Sequence, residues 1–133
     1  MVTMWWNRRR LQALDLHELH TALLLLEKAA VDHVRAVLEQ HPTESDVRQL
    51  QGDVSAHLRR TKDDKIRQAA ERAVRVCDLA LAPGIREPTP EAFEKRETAL
   101  RQIEEVMRVA RDPILDRIGE LTTRLMRGRP AKT

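Results

Sequence analysis

An all-α fold, an elongated antiparallel bundle of three long helices, is predicted by three features of this 133-residue chain. Apolar residues recur at intervals of three and four, the period of one helical face. Charged residues make up 34% and aromatics only 2%, with Ala, Leu, Glu and Arg abundant, which is a composition of good helix formers. Proline, glycine and capping signals punctuate the chain at only a few places. A chain of this length is one domain by the usual size prior, able to bury a single modest core.

The first helix is expected to open at Asp15, with Glu18 completing a capping box and Leu14 and Leu19 placed as a hydrophobic staple. Leu16, Leu19, Leu23, Leu26, Ala30, His33 or Val34, and Val37 then keep helical spacing, and His41-Pro42 ends the run. Thr43 followed by Asp46 signals a second cap. The stripe Val47, Leu50, Val54, Leu58, Ile66, Ala69, Ala73, Val76 and Ala80 holds its phase across Lys62, so one helix is expected as far as Pro83-Gly84. Thr61 with Asp64 offers an alternative break. Thr89 and Pro90 are cap and first-turn proline of the last helix, and Glu91, Glu94 and Glu97 suit its positive end. Its stripe runs Phe93, Leu100, Ile103, Met107, Ala110, Ile114, Ile118, Leu121 and Leu125, passing Asp112-Pro113, where a kink or break is expected. Breaks near Thr61 and Asp112 would raise the count to four or five helices. At ~1.5 Å per residue the longest segment reaches roughly 55 Å. Residues 1–14 read as an N-terminal arm, 15–127 as the bundle and 128–133 as a basic tail.

Two features exceed what one slender bundle needs. Consecutive positions on a helix point about 100° apart, so Leu23, Leu24, Leu25 and Leu26 together cover most of its circumference. Trp5 and Trp6 stand beside Arg8, Arg9 and Arg10, and indole and guanidinium groups are frequent binding hot spots. These six apolar residues predict a surface that packs on another protein or on a second copy of the chain. The plainer alternatives are that Leu24 is merely exposed and that the arm folds back over its own bundle. A membrane-surface anchor at the arm ranks third. The leading expectation is therefore a non-enzymatic interaction module, a small subunit or adaptor.

The main alternative is a nucleic-acid-associated subunit that holds phosphate backbones through Arg8, Arg9, Arg10, Arg59, Arg60, Arg124, Arg127 and Arg129. The net charge is only +3, but after Glu120 the chain carries Arg124, Arg127, Arg129 and Lys132 and no acid. Arg127-Gly128-Arg129-Pro130 resembles the core of an AT-hook, whose arginines reach into a narrow minor groove. Met126 departs from that motif, which usually has a proline there. The same stretch also reads as an ordinary helix end, with glycine after basic residues and proline beyond, and that reading is preferred.

Catalytic and cofactor machinery is not visible. His17, His20, His33 and His41 share the first helix, but no facing Glu-x-x-His motif or further ligand spacing accompanies them or His57, so no metal is expected. No nucleophile elbow, phosphate-cradling loop or HExxH is present, so no enzyme, cofactor or small-molecule substrate is expected. The single cysteine, Cys77, sits among Val74, Val76 and Leu79 and reads as a packed, inert thiol. Leu23 to Leu26 is far too short to span a bilayer, and no clean signal sequence is present, so a cytoplasmic location is expected.

Overall fold

The computed structural model describes residues 2–35 and 41–127, apart from the side chains of residues 2–7, 9, 125 and 127. Four helices run antiparallel in sequence: α1 (Val2–Arg35), α2 (Glu44–Leu58), α3 (Asp64–Val76) and α4 (Pro90–Arg127). A short 3₁₀ helix, Cys77–Leu81, extends α3. α1 packs on α2 and α4, and α3 packs on the same two partners' open sides. The register of α1 and α4 is marked by an Arg35–Glu104 pair at 3.9 Å and by a better shielded Arg111–Glu27 pair.

α1 begins at Val2 and not at Asp15, which is an exposed residue of its interior. The cap signal at Asp15 is overridden because Arg8 to Leu14 contains only Arg, Leu, Gln and Ala, strong helix formers with no breaker among them. Within α1 the expected face is buried: Leu16, Leu19, Leu23, Leu26, Ala30, His33 and Val34. Val37 lies outside the described residues.

Thr43 caps α2 as expected. Its hydroxyl accepts from the Asp46 amide at 3.1 Å, and the Asp46 carboxylate accepts from the Thr43 amide at 2.8 Å. Such a cap contributes about 1 kcal/mol. The single long helix expected after it is instead two. Arg59 and Arg60 form a turn, Thr61 donates to the His57 carbonyl at 3.1 Å, and Asp63 caps α3 by accepting from the Lys65 and Ile66 amides. Lys62 therefore covers no helical stripe; it is exposed in the turn. The apolar phase survives the break because two antiparallel helices each aim one face at the same core. Gln51, buried on α2, locks the pair by donating to the Val74 carbonyl at 2.8 Å and to Asp78 at 2.9 Å.

Beyond the 3₁₀ segment the chain turns at Gly84, whose φ of +74° is costly for residues bearing a Cβ. Thr89 caps α4 by accepting from the Ala92 amide at 3.1 Å. Phe93 is not in the core: it is 57% exposed, and Ala92 and Ala99 take the inner positions. Arg96 holds this corner, donating at 2.9 Å to the carbonyls of Ile85 and Glu87, with its guanidinium 5.9 Å from the Phe93 ring centre. From Ile103 to Leu121 the expected stripe is buried. α4 does not break at Asp112-Pro113, and Pro113 lies inside one helix of 38 residues. Its i−4 partner, Val109, is exposed, so water can satisfy the carbonyl that proline leaves without an N–H.

The lengths are unequal, and this positions everything that follows. α1 and α4, with 34 and 38 residues, reach about 51 and 57 Å, whereas α2 and α3, with 15 and 13, reach about 22 and 20 Å. The first turns of α1 and the last turns of α4 therefore overhang the α2–α3 turn.

Candidate interaction surfaces

The leucine run divides in two. Leu23 and Leu26 are fully buried, while Leu24 and Leu25 are 43% and 51% exposed. Nearer the start of α1, Leu11 and Leu14 are 60% and 50% exposed. Leu11, Leu14, Glu18, Thr21 and Leu25 follow one line at intervals of three and four, an exposed seam along α1 interrupted by two polar residues, of which Glu18 lies 3.9 Å from His57 of α2. On the α2 side this line borders a shallow groove of about 520 Å³, with Leu14, Ala22 and Leu25 on one wall and Leu50, Ala56 and His57 on the other. Trp5 and Trp6 lie in the first turns of α1, and their side chains are outside those described. Since Trp6 and Leu25 are 19 residues apart on one helix, their Cα atoms are separated by about 28 Å, so the six expected contact residues do not form one compact patch.

A second cleft, of about 650 Å³, lies beneath the overhang. Arg8, Leu11, Asp15 and Leu16 of α1 line it, with Arg60 to Asp63 from the turn, Ile66 of α3, and Arg117 and Leu121 of α4. Of the eight arginines expected to meet phosphate, Arg8 and Arg60 thus share one cavity, and Arg10, Arg59 and Arg124 are exposed. The side chains of Arg9 and Arg127 and all of Arg129 fall outside the described residues. Lys62 and Arg117 join this cleft without having been anticipated. Lys62 stands two residues after Arg60 and Arg117 belongs to no basic run; the α2–α3 break and the antiparallel return of α4 bring both to Arg8.

The histidines are dispersed over different surroundings. His33 is buried with its Nδ1 2.7 Å from the Pro42 carbonyl, which ties the end of α1 to the start of α2. His41 contacts Arg86. The Arg60 guanidinium donates to His57 Nδ1 at 2.9 Å, an arrangement that requires neutral imidazole, with the Glu18 carboxylate 3.9 Å from the same nitrogen. Among the described residues no three His, Cys, Asp or Glu side chains converge as a metal ion would need. Cys77 is fully buried, and its thiol donates to the Ala73 carbonyl at 3.3 Å. Burial, with Asp78 and Glu27 nearby, pushes its pKa up to about 12, so it stays protonated and unreactive.

No described helix is long and apolar enough to cross a membrane. The chain matches no family model, and no curated protein or solved structure is significantly similar to it.

His20, half-buried on α1, has its pKa held below 6.5 by burial first, then by the charges of Arg111 and His17. The unfolded chain takes up this proton near the ordinary value while the native protein resists it, so stability falls as pH drops through that range. Urea unfolding at pH about 7.5 and about 5.5 should show this loss, and His20→Gln should shrink it. An unchanged difference between the two pH values in the variant would assign the acid sensitivity to other groups.

Proposed function

We propose that the chain is a non-enzymatic helical interaction module, a small subunit or adaptor that works by packing the outer face of α1 on another protein or on a second copy of itself. The observation that carries this reading is the exposed seam of Leu11, Leu14 and Leu25 beside the α1–α2 groove. Single exposed leucines are common on any surface, but three in helical register on one face, with Leu14 and Leu25 lining a groove, offer a receptor for an amphipathic partner helix. Leu24 widens the same outer face.

A photoreactive residue placed at position 25 in the cell of origin tests this. The expected result is a discrete protein adduct, or a covalent dimer of the 15.4 kDa chain, that disappears when Leu14→Asp is added. The same probe at Gln68, exposed on α3, should give none. Light scattering on the purified chain separates the two kinds of partner, since self-association doubles the mass. A monomer that yields no adduct from position 25, or equal adducts from positions 25 and 68, would overturn the proposal.

A further inference from the structure

We propose that the overhanging end of the bundle is a binding site for the phosphate backbone of a nucleic-acid duplex. Charge along the chain looks nearly balanced, yet the fold sorts it. Residues 2–15, 58–67 and 116–127, which meet at this end, hold eleven bases against five acids, a net +6. The whole chain carries +3, so everything else sums to −3. Among the described residues the excess of positive charge lies at this end.

Most of the acids at this end are already engaged. Asp63 accepts the first amides of α3, Asp64 pairs with Arg67, and Glu120 pairs with Arg117 at 2.9 Å. Among the described residues Arg8, Arg59, Lys62, Lys65 and Arg124 are exposed and make no ion pair. The Arg117–Glu120 pair is exposed enough to be worth little, so phosphate can displace the carboxylate.

The form of this surface selects the ligand. Nine of the eleven bases are arginine, whose planar fork fits two phosphate oxygens at once. Arg8, Arg60 and Arg117 line one concavity from three separate elements, so a rod-shaped polyanion can touch all three, whereas a flat bilayer would meet only the rim. Among the described residues the cleft is lined by charged, polar and aliphatic side chains, which suit contact with a phosphate backbone.

Binding of the full chain to a fluorescently labelled duplex of random sequence, followed by anisotropy, tests the proposal. With four to six phosphates neutralised, affinity should fall about a hundred- to a thousand-fold between 50 and 200 mM salt. Arg8→Gln, Arg60→Gln and Lys62→Gln combined should weaken binding at least tenfold at the lower salt, and should lower the slope of log affinity against log salt by about three. Lys95→Gln, an exposed base near the opposite end, should change neither. Circular dichroism confirms that each variant keeps its helices. The proposal fails if the duplex does not bind at the lower salt, or if the triple variant binds as well as the unaltered chain. Polyglutamate competing as well as unlabelled duplex overturns it too, as does binding to phosphatidylserine vesicles but not to duplex.

Discussion

Leu23→Ala is expected to cost about 2–5 kcal/mol of folding stability, while Leu24→Ala, one residue away, should stay within about 0.5 kcal/mol. The Leu23 side chain is fully buried in the layer between α1 and its neighbours, and truncation removes its contacts and leaves a cavity. Leu24 points away from that layer. Since a domain of this size has about 5–15 kcal/mol in total, the first change removes a large share of it. Urea unfolding at neutral pH compares the two directly. Equal losses at both positions would mean that α1 is rotated differently about its axis, and the exposed seam on which partner binding depends would be lost with it.

Pro113→Ala should act in the opposite direction and stabilise the protein by about 2 kcal/mol, raising the melting temperature by roughly 8 °C. A proline inside a helix removes one N–H and crowds the carbonyl four residues earlier, at a cost of about 3 kcal/mol. Alanine restores the bond to the Val109 carbonyl. Part of the gain is offset because the unfolded chain becomes more flexible and because the half-buried ring loses its packing. Thermal unfolding followed by circular dichroism measures the net change. A lower melting temperature in the variant would show that the ring packs well enough to outweigh the missing hydrogen bond.

The all-helical class and most of the core were legible because both follow from spacing. Within a helix, apolar residues three or four positions apart fall on one face, and the caps at Thr43 and Thr89 are local enough to be recognised. What spacing could not reveal was where neighbouring elements stop. Asp15 looked like a start because capping chemistry was present, but no breaker preceded it, so α1 simply ran on. The break at Arg59 to Asp63 stayed hidden because the stripe on each side faces a shared interior. Phe93 was misplaced for a related reason. The Thr89 cap and the Arg96 anchor set the rotation of the first turns of α4, and they turn Ala92 inward instead. The basic cleft depends wholly on tertiary return, since Lys62 and Arg117 are 55 positions apart in the chain.

Separation of positive and negative ends gives the molecule a permanent electric moment along its length, and that moment acts before any contact is made. In the field of a polyanion, a rod of this kind turns while it is still diffusing and arrives tip first, with its acidic pole trailing.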